Sequence, residues 1–295
     1  MDNALVSLAI DQNKLLTHFK FLSSDELAGR KIGSQGNEKA SEYIKEQLIA
    51  SGVNPIQNKY QHPFVFTNLS GSKSGRNIIG KVKGTHYPQQ YIVVSAHFDH
   101  LGSRGIKIFN GADDNASGAS ALLVIAENIA KSPLRHSVIF LFTDAEESGL
   151  KGARAFVDDY EQLITSIKLN INIDMIAGSN KTRTLRFLHH DIDSIMTVDM
   201  LNQFNKTQQN ALIHMHHGFR TAQIGGFNAY GRKNWKMASD HGAFYLRDIP
   251  FIYYGVGTHK NYHSENDIFE NANTSFFIKA TDTIYKQILF IDDNI

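Results

Sequence analysis

Two apolar runs separated by one amphipathic helical pattern constrain the fold of this chain more than any other feature. Residues 91–96 (Tyr-Ile-Val-Val-Ser-Ala) and 137–142 (Ser-Val-Ile-Phe-Leu-Phe) are short and rich in β-branched and aromatic side chains, as is typical of fully buried strands. Between them, residues 116–130 carry apolar side chains at the i, i+3, i+4 and i+7 spacing of an amphipathic helix. This order predicts a buried, mostly parallel sheet covered by helices.

Further segments continue the alternation along the chain. The other predicted helices, recognised by the helical spacing of their apolar residues, cover about 12–27, 37–50, 150–160, 191–205 and 274–291. The other predicted strands are the apolar runs at 77–82, 167–174 and 249–254. The pattern predicts an α/β fold, and residues 1–295 are expected to form a single domain because no linker, internal repeat or low-complexity segment interrupts it.

The composition is that of an ordinary globular protein. Hydrophobic residues make up 42% of the 295 residues, and 30 basic residues nearly balance 29 acidic ones. This balance argues against a nucleic-acid partner, and no run approaches the roughly 18 apolar residues of a membrane span. The chain has no cysteine, which excludes disulfides, thiolate metal ligands and a cysteine nucleophile.

The first ten residues lack the basic region and the long apolar run of a signal peptide. The compartment therefore stays open at this stage. A periplasmic or secreted location is expected if Met1 stands after a removed signal, and a cytoplasmic one otherwise. The oligomeric state is equally open.

Carboxylates and imidazoles follow the predicted strands at the points where the strands end. In chain order they are His97, Asp99, Asp113, Asp114, Glu146, Glu147, Asp174 and His263. Ligands of open parallel sheets bind beyond the carboxyl ends of the strands, so these side chains are expected to converge. Mixed nitrogen and oxygen donors suit zinc, and one surplus carboxylate could handle protons. The set predicts a hydrolase with two metal ions.

Spacing within the first two motifs supports this interpretation. His97 and Asp99 are two residues apart, so on an extended segment Asp99 can accept the far N–H of the His97 ring or lie just behind it. One of Asp113 and Asp114 could simply cap the helix that begins near residue 116. Helix capping is a weaker explanation for the presence of both aspartates, because adjacent carboxylates repel each other unless cations or solvent offset their charge.

The later motifs allow plainer interpretations when each is taken alone. Glu146 and Glu147 follow a strand, where adjacent side chains point to opposite sides, so that one can bind metal while the other faces substrate. A solvated acidic turn explains that pair equally well. Asp174 could be an exposed strand end, and His263 could be a surface histidine of a polar loop.

The order and spacing of the motifs resemble peptidase family M28, a family of zinc aminopeptidases. The resemblance runs from residues 22–30 to residues 263–267. Its most specific segments are 96–100 (Ala-His-Phe-Asp-His), 111–118 (Gly-Ala-Asp-Asp-Asn-Ala-Ser-Gly), 146–152 (Glu-Glu-Ser-Gly-Leu-Lys-Gly), 172–175 (Asn-Ile-Asp-Met) and 239–241 (Ser-Asp-His). It implies a single three-layer α/β/α sandwich with a mostly parallel, mixed central sheet of about eight strands. Some relatives carry an inserted protease-associated domain, for which the spacing between Gly52 and His97 leaves no room.

The resemblance also implies a role for each member of the set. The implied metal ligands are His97 and Asp174 on one zinc ion, Glu147 and His263 on the other, and Asp114 bridging the two. Glu146 would be the general base, and Asp99 would support catalysis from behind His97. The implied cofactors are two Zn²⁺ ions, and the implied partners are peptides with a free N-terminus, whose first bond is hydrolysed.

Residues 178–236 are expected to combine a core helix with an excursion over the active site. Tyr230 and Trp235 are candidates to contact substrate or oxyanion, and Asp240 is a third candidate substrate residue. The aromatic content of residues 227–254 favours Leu- or Phe-type N-terminal residues.

Other functions remain open on the same scaffold. A glutaminyl-cyclase-like acyltransferase would use a single zinc ion and fits the pairs 146–147 and 240–241. A non-catalytic binding domain would have lost metal ligands, whereas here no ligand position is missing. Residues 149–152 and the complete second set of ligands favour a peptidase, with the dipeptidase and carboxypeptidase subtypes also open.

Overall fold

The computed structural model describes residues 9–68, 71–219 and 234–295 of the chain. Its strands, numbered along the chain, are β1 (Asn54–Pro55), β2 (Gln61–Asn68), β3 (Gly71–Val82), β4 (Tyr87–His97), β5 (Gly102–Arg104), β6 (Lys107–Phe109), β7 (His136–Thr143), β8 (Ile167–Ile173), β9 (Thr184–His190), β10 (His214–His217) and β11 (Phe251–Gly255). Its α-helices are α1 (Gln12–Leu22), α2 (Gln35–Ala50), α3 (Gly118–Lys131), α4 (Lys151–Asp159), α5 (Glu161–Ile164), α6 (Val198–Gln209), α7 (His241–Tyr245) and α8 (Thr274–Asn294).

Nine of the described strands form one central sheet, in the order β1-β3-β7-β4-β8-β11-β9-β10, with β2 paired to β3. The middle strands β7, β4, β8 and β11 pair in parallel. On either side of them, β3 and β9 pair antiparallel with this group. The sheet is therefore mixed with a parallel centre, which confirms the predicted α/β fold class. Strands β5 and β6 form a separate hairpin.

Alternate side chains of the central strands enter two separate cores. On one face Ile92 and Phe140 pack into the larger core, to which α1, α2, α3 and α8 contribute buried side chains. On the other face Val93 and Ile139 join a smaller core with Phe156 of α4 and residues of α7. Helices on both faces of one sheet make the three layers, and burial on both faces explains why the central strands are nearly all apolar.

The predicted elements of the parallel centre are present, and the differences lie at the sheet margins. Strands β2, β9 and β10 were not expected from the pattern. Strand β2 contains Pro63, a residue confined to edge strands, and it pairs only with β3. Strands β9 and β10 carry histidines in place of an apolar run, and β10 lies at the end of the sheet. A strand near the edge of a sheet buries less apolar surface, so its sequence shows a weaker pattern of apolar residues.

The segment 178–236 thus contributes two strands and α6 in the part that the structure describes. Residues 220–233, including the candidate Tyr230, lie outside the described residues. Among the helices that the structure describes, none has the length and apolar content needed to cross a membrane.

Candidate metal centre

The carboxyl ends of three neighbouring parallel strands deliver most of the expected side chains to one place. His97 is the last residue of β4, Asp174 directly follows β8, and Glu146 and Glu147 follow β7 after two intervening residues. Because β7, β4 and β8 are adjacent in the sheet, these groups meet at its edge.

A first cluster forms around the imidazole of His97. Its Nε2 lies 3.3 Å from Oδ1 of Asp114 and 3.4 Å from Oδ1 of Asp174. The carboxylate of Glu146 lies beside this pair, since one ligand atom each of His97, Glu146 and Asp174 falls within 4.8 Å of the others. All three side chains can therefore reach one small cation.

A second cluster forms around the imidazole of His263, on the loop after β11. Its Nε2 lies 3.1 Å from Oδ2 of Asp114 and 3.3 Å from Oε1 of Glu147. Asp114 thus turns one carboxylate oxygen towards each cluster. His100 belongs to the second cluster as well, because its ligand atom lies within 4.8 Å of those of Asp114 and Glu147.

Several buried polar atoms of the two clusters have no hydrogen-bond partner among the residues that the structure describes. They are Nε2 of His97, both ring nitrogens of His100, Oε1 of Glu147, Oδ1 of Asp174 and Nε2 of His263. Leaving such an atom unsatisfied costs about 1–3 kcal/mol. Imidazole nitrogens and carboxylate oxygens are donors that zinc prefers, so the residues fit the zinc that the sequence predicts.

Asp99 holds the acidic turn after β7 in place. Its Oδ1 accepts the backbone N–H of Glu146 at 2.9 Å, and its Oδ2 accepts that of Glu147 at 3.4 Å. The ring of His97 approaches Asp99 mainly through the main-chain carbonyl, at 3.2 Å from Nδ1, with the carboxylate Oδ1 at 3.7 Å. Asp99 therefore lies just behind the ring, the second of the two placements expected for it.

Glu146 and Glu147 lie on a turn beyond the end of β7, not on the strand itself. The residue before them, Ala145, has a left-handed backbone (φ 59°). Their carboxylates still diverge, Glu146 to the first cluster and Glu147 to the second. The divergence expected from strand geometry is thus produced by a turn.

Asp113 has a structural part in the same loop that presents Asp114. Its Oδ1 accepts the backbone N–H groups of Ala177 and Gly178 at 2.8 and 2.7 Å, and its Oδ2 lies 2.9 Å from Nε2 of His259. The carboxylate of Asp267 accepts the backbone N–H groups of Asp113 and Asp114 at 2.9 and 3.1 Å. Asp113, the first member of the Asp pair, therefore needs no cation, whereas Asp114 faces the two clusters.

Arg30 ties together the loops that carry the ligands. Its guanidinium is completely buried and donates hydrogen bonds to the carbonyl oxygens of Phe98, Asn110 and Gly111 at 2.6–2.9 Å, and to that of Leu22. Burial lowers its pKa to about 10, so it stays cationic at neutral pH beside the acidic clusters. Sequence reasoning assigned Arg30 no role, and the only available signal was its place at the end of the motif of residues 22–30.

The ionisable side chains of the two clusters shift one another's pKa values strongly. Burial acts to raise the pKa of Asp114, but the imidazoles of His263 and His97 hold it well below its usual range. Burial acts to lower the pKa of His263, but Asp114 and Glu147 raise it to about 10. Burial and the carboxylates of Glu147 and Asp174 raise the pKa of Glu146 well above its usual range. Positive charge at this place, whether from an imidazolium or from a bound cation, therefore stabilises the ionised carboxylates.

A small cavity opens onto the clusters. Asp114, Glu146, Glu147, Asp174 and His263 line it, and its walls include Trp235, Tyr253 and Tyr262. Trp235 therefore lies where a substrate contact was expected. Asp240 does not line this cavity. Its side chain is completely buried, accepts a hydrogen bond from Thr143 and has its pKa raised to about 7 by burial.

Comparison with known proteins identifies the family. The sequence profile of Peptidase family M28 matches residues 77–288, more than half of the chain. The chain therefore belongs to peptidase family M28, as the motifs predicted. Among curated relatives, Aminopeptidase YwaD of Bacillus subtilis (strain 168) is 33% identical over 117 residues, which are 39% of this chain and 24% of the relative. The chain spans about half or less of the length of the curated relatives it matches.

Solved structures share the fold over nearly the whole chain. A Zn-dependent exopeptidase from Parabacteroides distasonis ATCC 8503 superimposes with a TM-score of 0.72 at 17% identity, covering 97% of this chain and 99% of that structure. A glutaminyl cyclase from Porphyromonas gingivalis gives a TM-score of 0.71 at 16% identity, covering 96% and 98%. At these identities the likeness shows the fold alone.

Replacing Arg30 is expected to destabilise the protein strongly. Arg30→Met would leave four buried carbonyl oxygens without a donor, so the free energy of unfolding should fall by about 3 kcal/mol or more. Denaturant unfolding in the presence of chelator measures this effect apart from metal binding. Lys31→Met, at the exposed neighbouring position, is the matched control and should change stability by about 0.5 kcal/mol or less. Equal stabilities of the two variants would contradict the anchoring role of Arg30.

Proposed function

We propose that this protein is a metallo-aminopeptidase that hydrolyses the N-terminal bond of peptides with two zinc ions and a glutamate base. The observation that carries the proposal is the placement of Asp114. Its Oδ1 lies 3.3 Å from Nε2 of His97 and its Oδ2 lies 3.1 Å from Nε2 of His263. A carboxylate between two imidazoles that belong to separate ligand clusters supports a bridging role.

The remaining ligands divide between the two clusters. His97 and Asp174 would hold one ion and Glu147 and His263 the other, with Asp114 shared. Two zinc ions, when bound, supply a water of lowered pKa and polarise the carbonyl that is attacked. Family membership supports zinc, and the unpartnered donor atoms of both clusters support a count of two.

Glu146 is the proposed general base. Its carboxylate lies beside His97 and Asp174 and lines the cavity where a substrate would enter. There it can accept a proton from the attacking water and later deliver that proton to the leaving amine. The hydrogen bond from its backbone N–H to Asp99 fixes the turn that aims it.

The chemical groups of the cavity support a substrate with a free N-terminus. Asp114, Glu146, Glu147 and Asp174 line a small space closed on other sides by aromatic rings. Two bound zinc ions would offset the charge of these carboxylates, so the N-terminus would be recognised by direct contact, and a zinc ion or a carboxylate free of metal can hold its amine. The interior of a peptide offers no such group, and the cavity therefore favours exopeptidase action over internal cleavage.

A glutaminyl-cyclase-like acyltransferase is the second candidate. The fold is shared with a glutaminyl cyclase, so the scaffold itself does not separate the two activities. The second candidate would use a single zinc ion. The complete pair of ligand clusters around Asp114 favours the peptidase.

The purified protein is expected to bind two zinc ions per chain and to lose peptidase activity when a chelator removes them. The reason is that each cluster presents its own imidazole to Asp114. Elemental analysis of the zinc-saturated protein, run beside an assay with aminoacyl nitroanilides, measures both. Full activity with one ion per chain would contradict the two-zinc proposal, and turnover of N-terminal glutaminyl peptides would then favour the cyclase.

Glu146→Gln is expected to keep both metal ions and to reduce kcat roughly 10²–10⁴-fold, the usual contribution of a general base. Its neighbour provides the matched variant, because Glu147→Gln removes a carboxylate of the second cluster and should weaken metal binding. Metal content and kcat measured on both variants test the two roles. Exchanged phenotypes would show that the roles of Glu146 and Glu147 are reversed.

Cleavage is expected to require a free α-amine. A peptide with an N-terminal leucine and its N-acetylated twin are compared at equal concentration, with products identified by mass spectrometry. Acetylation converts the amine into an amide, which a zinc ion or a carboxylate holds more weakly, so the twin should be cleaved at least tenfold more slowly. Equal cleavage of both, or products from internal bonds, would rule out the aminopeptidase while leaving a two-zinc hydrolase intact.

A further inference from the structure

A second cavity, lined by the cationic residues Lys181, Arg183 and Arg186, adjoins the cavity of the metal centre. This basic cavity has a volume of about 440 Å³, a size typical of sites for small ligands. Gly257 and Thr258 line both the basic cavity and the cavity of the metal centre. The two cavities therefore share a wall, although only one of them contains the proposed metal ligands.

The described residues leave much of the positive charge of the basic cavity without a counter-charge. None of the residues that line the cavity is acidic. Lys181 and Arg183 are exposed, and no ion pair among the described residues involves either of them. Bound zinc ions would offset the carboxylates of the neighbouring cavity, so the cations of the basic cavity stay available to a negatively charged group of a ligand.

Asp113 fixes the basic cavity next to the metal centre. Its Oδ1 accepts the backbone N–H groups of Ala177 and Gly178 at 2.8 and 2.7 Å, in the segment that leads to the cationic residues. Its Oδ2 lies 2.9 Å from Nε2 of His259, which also lines the basic cavity. Because Asp113 directly precedes Asp114, one carboxylate joins two segments of the basic cavity to the residue proposed to bridge the metal ions.

The turn that carries the two exposed cations is held by its own hydrogen bonds. The backbone N–H of Ser179 donates to Oγ1 of Thr182 at 2.9 Å, and the backbone N–H of Thr182 donates to the carbonyl oxygen of Ser179 at 2.8 Å. Nη1 of Arg183 donates to the carbonyl oxygens of Asn180 and Thr182 at 2.9 and 2.7 Å. The other donors of this guanidinium have no partner among the described residues, so they can serve a ligand.

The central sheet places Arg186 beside the shared wall. Arg186 of β9 lies opposite Gly255 of β11 in their antiparallel pair, and Gly255 is two residues before Gly257. The side chain of Arg186 is half-buried, and its Nη1 donates to the carbonyl oxygen of Gly218 at 3.0 Å. Functional groups on strands are positioned more precisely than groups on loops, so the charge of Arg186 has a defined place next to the metal centre.

We infer that the basic cavity binds a carboxylate on the leaving side of the substrate, which is the part of the peptide that follows the hydrolysed bond. The inference rests on the proposed aminopeptidase function. Cations with free donors hold a carboxylate by charge-assisted hydrogen bonds, and the planar donors of arginine match its two oxygens. Two sources supply this group: the C-terminal carboxylate of a short peptide, or an acidic side chain near the hydrolysed bond.

The placement on the leaving side follows from what surrounds the metal centre. An aminopeptidase holds only one residue before the hydrolysed bond. The aromatic rings of Trp235, Tyr253 and Tyr262 line the cavity of the metal centre and suit an apolar first side chain. The rest of the peptide must leave that cavity, and the shared wall of Gly257 and Thr258 leads to the cations.

Two pairs of substrates test the inference on the zinc-loaded wild-type protein. The tripeptide Leu-Ala-Ala is compared with its C-terminal amide, and Leu-Glu-Ala-amide is compared with Leu-Gln-Ala-amide. The carboxylate member of at least one pair should have a kcat/KM roughly fivefold higher at low salt, and high salt should reduce the difference because exposed charges are screened. The pair that shows the preference identifies the source of the carboxylate.

Equal kcat/KM values within both pairs would overturn the inference, and release of leucine from all four peptides would leave the aminopeptidase proposal standing. Failure to release leucine from any of them would instead contradict the proposed function itself.

Charge-removing variants connect the preference to the basic cavity. The double variant Lys181→Gln/Arg183→Gln should reduce the preference for the carboxylate substrate at least threefold. The control is Lys20→Gln/Arg154→Gln, which removes the same two charges at exposed positions on α1 and α4 and should keep the wild-type preference. Equal preferences in the two double variants would overturn the inference.

An acidic first side chain is the competing occupant of the basic cavity. Glu-nitroanilide and Leu-nitroanilide separate it, because neither carries a carboxylate on the leaving side. Lys181→Gln/Arg183→Gln should change kcat/KM for these two substrates by the same factor. A selective loss of activity on Glu-nitroanilide would place the first side chain in the basic cavity and would overturn the inference.

Discussion

Repulsion among carboxylates at the carboxyl edge of the sheet is the constraint on which the rest of this structure depends. Buried or half-buried within this region are Asp99, Asp113, Asp114, Asp144, Asp174, Asp240, Asp267, Glu146 and Glu147. Gathering so many like charges away from water is costly unless cations or donors offset them. The fold meets this demand in two ways. Backbone N–H groups satisfy Asp99, Asp113 and Asp267, while Asp114, Glu147 and Asp174 face the imidazoles of a metal centre.

Arg30 both offsets part of this negative charge and holds three segments of the fold together. It is a cation buried next to the acidic edge, and its hydrogen bonds join the end of α1, the segment after β4 and the loop before α3. Two of those segments carry proposed metal ligands. A single side chain therefore offsets negative charge and also sets the spacing between His97 and Asp114, on which any shared metal site depends.

Sequence reasoning predicted the centre of the fold well and its margins poorly. Most residues of the strands β4, β7 and β8 and of the helix α3 are buried, so their apolar patterns are strong and their positions were predicted within a few residues. Strands β2, β9 and β10 lie towards the margins, and their proline and histidines obscured them. The same contrast holds at the site, because strand ends pointed to His97, Glu146 and Asp174, whereas Arg30 is brought to it only by contacts distant in sequence.

The sequence by itself determined the fold class, the family and the set of residues that meet at the sheet edge, because parallel strands must place their carboxyl ends together. Only the tertiary structure decided how those residues divide. It separated Asp113, held by backbone N–H groups and His259, from Asp114, which faces two imidazoles, although the two are adjacent in the chain. It also buried Asp240 away from the lining of the cavity and placed His100 within the second cluster. Such assignments depend on distances of a few ångströms between separate loops, which residue spacing does not encode.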